Sequence, residues 1–179
     1  MITSQRAMNI FLIGYRGTGK SEVGRALAGM LNRPWLDMDD ELTQRLGTTL
    51  HAYVGRWDWP AFRREEKSLL QEVCRRDGWV ISTGGGVVLD ADNVTAMRSS
   101  GRVIWLQASA SAIQERLAAD PRTRDLRPPL STATDPAAEI KDMLSRRLAL
   151  YQQAAHWQID TEGLPVEQVC RCISEWIAL

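Results

Sequence analysis

Four short stretches of the chain carry residue types at spacings that could do chemistry. The first is GYRGTGKS, which satisfies G-x-x-x-x-G-K-[ST] at Gly14, Gly19, Lys20 and Ser21. Backbone N–H groups of Gly14, Gly17, Thr18 and Gly19 can curl around phosphate oxygens, and a helix opening at Lys20 adds a field that favours negative charge. Lys20 can reach the terminal phosphates of a nucleoside triphosphate, and the Ser21 hydroxyl can ligate Mg²⁺. A glycine turn ahead of a helix would look similar. The apolar run before the motif and the helical pattern after it favour the phosphate loop.

The other three stretches have charges suited to a small hydroxylated acid. In LDMDD, Asp37 and Asp39 lie at the end of a predicted strand and in extended geometry would point the same way. One could organise Mg²⁺ and the other could orient a hydroxyl for in-line attack. A helix N-cap with an acidic first turn would explain the same letters. In FRREE, Arg63 and Glu66 are spaced i, i+3 and can meet on one helix face, which would pre-set the guanidinium for a carboxylate. A charged surface helix would also read this way. In STGGGVV, Gly84, Gly85 and Gly86 follow an apolar run. Three glycines exceed what a strand-to-helix turn needs, and they let successive N–H groups face one ligand.

The elements that must hold these residues alternate between short apolar runs and longer amphipathic ones. Strands are expected at Asn9–Ile13, from Trp35, at Trp79–Ser82, at Arg102–Gln107 and at Trp157–Asp160. Helices are expected at Lys20–Leu31, over DDELTQRL, from Thr48 to Arg76 with a break near Pro60, over SASAIQERLAA, at Pro136–Ala155 and at Val166–Ile177. Five buried strands separated by helices imply an α/β fold with a parallel sheet covered on both faces. The Pro- and Arg-rich stretch from about residue 120 to 135 lacks an apolar face and reads as a lid-like loop.

Composition narrows the function. The chain has 179 residues, enough for one domain with its own core. Its 22 basic and 22 acidic residues balance, which gives no support for a nucleic-acid or anionic-membrane partner. No long apolar segment suggests a signal peptide or a membrane span, so a cytoplasmic protein is expected. Cys74, Cys170 and Cys172 read as reduced thiols, and His51 and His156 have no zinc-like spacing. GTPase guanine signals are absent, and a small-molecule phosphotransferase remains.

Taken together, FLIGYRGTGKSEVGRALA, LDMDDEL, FRREE, STGGGVVL, LRPPL and RRLALY resemble the shikimate kinase family from end to end. The resemblance implies a nucleoside monophosphate kinase-like fold: a five-stranded parallel sheet flanked by helices, with a mobile lid. One domain would span the chain, with a phosphate loop at 14–21, a shikimate-binding region at about 37–76 and a lid at about 120–135. It further implies ATP-dependent phosphorylation of the shikimate 3-hydroxyl by a monomer using Mg²⁺. By the same resemblance Asp39 holds the shikimate hydroxyls, and Asp37 organises Mg²⁺ beside Ser21. Arg63 and Arg147 bind the carboxylate, and Gly84–Gly86 close around the hydroxyl side. Lys20 and the lid's Arg127 neutralise the transferring group, and Arg122 or Arg124 stacks on adenine. A side chain at Gly85 is therefore expected to obstruct shikimate more than ATP.

Three positions depart from the commoner family pattern. The lid reads RPPL where R-P-L-L is usual, Trp59 replaces an acidic residue, and Arg16 occupies a variable position of the phosphate loop, where phosphate contact and plain solvent exposure are equally open. The alternatives are a gluconate- or nucleotide-type kinase and a nucleotide-binding regulatory homologue. The Arg63/Glu66 and triple-glycine pair argues against the first, and the presence of Lys20, Asp39 and Arg127 against the second.

Overall fold

Strand β1, Asn9–Ile13, is buried along its whole length, the condition of a central parallel strand. Its side chains alternate between two cores. Phe11 and Ile13 join Ile81, Val103 and Trp105 on one face of the sheet, while Ile10 and Leu12 join Val80, Ile104 and Leu106 on the other. The remaining strands are β2 (Trp35–Asp37), β3 (Val80–Ser82), β4 (Gly101–Gln107) and β5 (Trp157–Asp160). All pairings are parallel, in the order β2-β3-β1-β4-β5. The expected five-stranded sheet flanked by helices is therefore present. This computed structural model describes residues 7–120 and 136–179.

Eight α-helices flank the sheet among the described residues. They are α1 (Lys20–Leu31), α2 (Met38–Leu46), α3 (Leu50–Trp57), α4 (Trp59–Val73), α5 (Ala91–Ser100), α6 (Ala110–Ala119), α7 (Pro136–Ala154) and α8 (Val166–Ile177). None of them is long and apolar enough to cross a membrane. Cys74, Cys170 and Cys172 are free thiols.

Two features differ from the reading of the sequence. Helix α5 was not expected, because ADNVTAMRSS buries only Asn93 and Met97 and so shows no apolar stripe. Its start is marked instead by Asp90, whose side chain accepts from the Asp92 N–H at 2.8 Å. The break between α3 and α4 is made by Asp58 rather than Pro60. Asp58 takes φ 79°, ends α3, and accepts from the Ala61 N–H at 2.8 Å to open α4. Pro60 sits harmlessly in the first turn of α4, where no N–H is needed.

The topology gathers the candidate residues at one edge. The chain leaves β1 toward β2, then passes back across β1 to reach β4, so the direction of winding reverses at β1. Ligands of open parallel sheets bind at the carboxyl ends of strands at such a reversal. The phosphate loop follows β1, Asp37 ends β2, the glycine run follows β3, and Thr161 follows β5.

Candidate active site

The loop between β1 and α1 takes its shape from glycine. Gly14, Gly17 and Gly19 have φ of 144°, 82° and 90°, a region side chains rarely adopt. At Gly14 a Cβ would also lie 2.5 Å from the Leu106 carbonyl oxygen. Lys20 is buried and donates from Nζ to the Gly14 and Tyr15 carbonyls, both at 2.9 Å, which holds its charge inside the loop. Thr18 closes the turn by donating to Tyr15 O at 2.8 Å. The adjoining cleft encloses about 840 Å³ and runs from this loop to Arg116, Thr161, Leu164 and Pro165.

Asp37 and Asp39 do come together at this cleft, for a different reason than extended geometry. Asp37 ends β2 in a β conformation, whereas Asp39 already lies in the first turn of α2. The Asp37 carboxylate divides its oxygens. Oδ1 accepts from the Asp39 and Asp40 N–H groups as the α2 N-cap, and Oδ2 accepts a very short hydrogen bond from the Ser21 hydroxyl. The motif thus caps α2 and lines the cleft at the same time.

A second, smaller pocket opens beside the first, with about 60 Å³ of room for solvent. Arg63 and Glu66 reach it from successive turns of α4 and pair through Nη1 and Oε2 at 2.5 Å. Glu66 is 1 % exposed, and its other oxygen, Oε1, makes no hydrogen bond. Burial pushes its carboxyl above the ordinary range, against the opposing pull of Arg63. The Arg63 guanidinium also lies over the Trp59 ring, 5.1 Å from its centroid. Trp59 thus packs under the cation in place of an acidic neighbour.

Helix α7 supplies the opposite wall. Arg147 Nη1 and the Tyr151 hydroxyl both donate to the Gly85 carbonyl, at 3.0 and 2.6 Å. Tyr151 is fully buried and stacked on Trp105, and burial pushes its hydroxyl up to about 12, so it stays a donor.

The glycine run borders this pocket as expected, but the reason is space more than exposed N–H groups. None of the three has a positive φ. A Cβ on Gly84 would meet Glu66 Oε1 at 2.5 Å and Asp39 Oδ1 at 3.0 Å, and one on Gly86 would run into the Arg63 guanidinium. A Cβ on Gly85 would sit 3.4 Å from both Arg16 N and Gly14 O, in ordinary contact with the phosphate loop. Gly84 and Gly86 thus face the pocket charges, while Gly85 lies between the pocket and the phosphate loop and borders both clefts.

The shikimate kinase family model matches residues 16–178. The chain belongs to the shikimate kinase family. A shikimate kinase from Oleidesulfovibrio alaskensis is 43 % identical over 151 residues, covering 84 % of this chain and 87 % of that one. Shikimate kinase 2 of Yersinia enterocolitica is 40 % identical over 169 residues, covering 93 % and 95 %. Among solved structures, a shikimate kinase from Acinetobacter baumannii in complex with shikimate superposes with TM-score 0.88 at 31 % identity, covering 96 % of this chain and 93 % of the other.

Within that family frame, Arg122, Arg124 and Arg127 lie outside the described residues. The segment before α8 borders the phosphate-loop cleft through Leu164 and Pro165. Arg116 was missed. It lines the same cleft and donates to Gly17 O at 3.4 Å, Thr161 Oγ1 at 3.0 Å and Thr161 O at 3.0 Å, tying the phosphate loop to the end of β5. Its only sequence signal was a basic residue in the last turn of α6.

The Ser21 hydroxyl and Asp37 carboxylate are hard oxygen donors on the cleft wall, a set that suits Mg²⁺. Among the described residues no group of three or more His, Cys, Asp or Glu could hold a metal. An ion here would take most of its ligands from phosphate oxygens and water, as Mg²⁺ commonly does.

Proposed function

We propose that the protein is a shikimate kinase that moves the γ-phosphoryl group of ATP to the 3-hydroxyl of shikimate, giving ADP and shikimate 3-phosphate for aromatic amino-acid synthesis. The observation that carries this reading is the second pocket. It joins a paired Arg63, a carboxylate at Asp39 and a side-chain-free glycine wall, and it opens onto the phosphate-loop cleft. A hydroxylated carboxylic acid matches each of those groups.

Residue roles follow from charge and position. Gly14, Gly17, Thr18 and Gly19 hold the phosphates, and Lys20 leaves its carbonyl partners for the terminal phosphates. Arg63 and Arg147 hold the substrate carboxylate, and Gly84–Gly86 wall the ring. Asp39 accepts a hydrogen bond from the 3-hydroxyl and takes its proton as oxygen bonds to the γ-phosphorus. The bond from that phosphorus to the β–γ bridging oxygen breaks, and its electron pair leaves on ADP. Ser21 and, through water, Asp37 would hold Mg²⁺, which when bound neutralises charge on the phosphates. Arg127 would add charge from the lid at about 120–135, and the shikimate-binding region would span about 37–76. The enzyme would work as a cytoplasmic monomer of one domain.

An ADP-release assay with ATP and Mg²⁺ tests the reading. Turnover with shikimate, and none above background with gluconate or nucleoside monophosphates, is the expected result. Turnover of one of those others without shikimate would overturn it.

A further inference from the structure

Only three residues border both clefts among the described ones: Asp39, Gly85 and Arg16. The phosphoryl group must cross where the clefts meet, so whatever lines that junction faces the reacting atoms. Asp39 supplies a carboxylate and Gly85 a backbone without bulk. Of the three, Arg16 supplies the positive charge.

Its position is built and held. Arg16 Nη2 pairs with Glu139 Oε1 at 2.9 Å, and both side chains are largely buried, 19 % and 8 % exposed. Glu139 belongs to the first turn of α7, the helix that also carries Arg147 and Tyr151. Beside it, Tyr15 packs with Ile113 and Ile140, which seats the loop on α6 and α7. A cation fixed beforehand beside developing charge stabilises a transition state without reorganising.

We propose that Arg16 is a catalytic residue that contacts the oxygens of the transferring phosphoryl group, and that Glu139 is its positioning residue. This rests on the shikimate kinase reading. Charge on those oxygens is spread as the P–O bond to ADP breaks and the bond to the acceptor oxygen forms. Arg16 stabilises that arrangement more than either bound substrate. Its loss should therefore appear in kcat and not in either KM.

The test compares the parent protein with Arg16→Gln, Arg16→Lys and Glu139→Gln in steady-state kinetics, with thermal melting as the check on folding. Arg16→Gln should lower kcat roughly 10- to 100-fold with both KM values within about threefold, and Arg16→Lys should recover part of the loss. Glu139→Gln should lower kcat by about 3- to 10-fold, because the guanidinium remains but is less well held. Parental kcat in a folded Arg16→Gln protein would overturn the proposal, as would a loss confined to the KM for ATP. If Arg16→Gln does not fold, Glu139→Gln decides, and an unchanged kcat there overturns it. A parent protein inert toward shikimate would defeat the underlying reading, and this inference with it.

Discussion

The two glycine-rich turns follow neighbouring strands, β1 and β3, yet their glycines meet different demands. In the phosphate loop, Gly14, Gly17 and Gly19 are needed for backbone shape, because all three have positive φ. In the second turn, Gly84 and Gly86 have no such φ and are needed for room, because Glu66, Asp39 and Arg63 crowd where a Cβ would be. By the proposed roles, the first turn would bind with its own N–H groups, a solution open to any nucleoside triphosphate. The second makes space for charged side chains from α2 and α4, which on the proposed function would tie the site to one kind of acceptor. Recognition of the general ligand is written in backbone, and recognition of the particular one in side chains.

Exchanging alanine for glycine in each turn is the sharpest way to break that contrast. At Gly86 the backbone tolerates alanine, with φ −106°, but the methyl displaces the Arg63 guanidinium from Glu66. Gly86→Ala should raise the shikimate KM roughly 10- to 100-fold while leaving nucleotide affinity within about twofold, since a disrupted charge-assisted pair carries most of the cost. Gly17→Ala should do the reverse. Its φ of 82° is strained for alanine, and the methyl meets Leu117 at 3.2 Å, so nucleotide affinity should fall about tenfold. Steady-state kinetics paired with nucleotide titration reads both. Equal effects on the two ligands from either variant would erase the distinction.

Tyr151 sharpens the comparison from beneath the second turn. Its hydroxyl and Arg147 share the Gly85 carbonyl, so it can keep that oxygen satisfied when Arg147 turns to a substrate carboxylate. Tyr151→Phe should raise the shikimate KM by about threefold to tenfold, the scale of one net hydrogen bond, with the ATP KM unchanged. A variant with parental shikimate KM would show that the carbonyl needs only one donor.

The smallest effect belongs to acid, and it should spare the contrast altogether. His156 Nδ1 accepts from the Val103 N–H at 3.0 Å, at the amino end of β5 and away from both clefts. Burial, with Arg98 and Arg102 nearby, holds its pKa below the usual 6.5. The unfolded chain therefore takes up that proton first. The stabilisation is complete above about pH 6.5 and is lost as pH falls toward the depressed folded value. Melting temperature should decline over that window in the parent and less steeply in His156→Gln, with both KM values of the folded enzyme unmoved. An identical decline in the two proteins would remove His156 from the explanation.

Much of this was legible in the letters, and the exceptions share a cause. Continuous apolar runs announced β1 and β4, and the phosphate loop announced itself by motif and context. The Arg63–Glu66 pair followed from helical spacing alone. Helix α5 stayed hidden because it buries only two residues, and Asp58 because a positive φ at a non-glycine has no local signature. The space-making role of Gly84 and Gly86 could not be read either, since it depends on side chains about 20 and 45 residues away in sequence converging after folding. Arg116 was unreadable for the same reason. Its partners, Gly17 and Thr161, belong to the ends of two other strands.

Helix α7 acts as a ruler for the acceptor. Glu139, which pairs with Arg16, and Arg147, which donates to the Gly85 carbonyl, lie eight residues apart on one helix. That spacing fixes them about 12 Å apart along the axis, whatever the loops around them do. An acceptor whose acid and hydroxyl are separated by too long or too short a skeleton cannot meet both ends at once. Inserting one residue between them would turn the two anchors about 100° out of register. If Arg16 and Arg147 hold the two ends as proposed, tolerance for substrate length would be set by a covalent repeat.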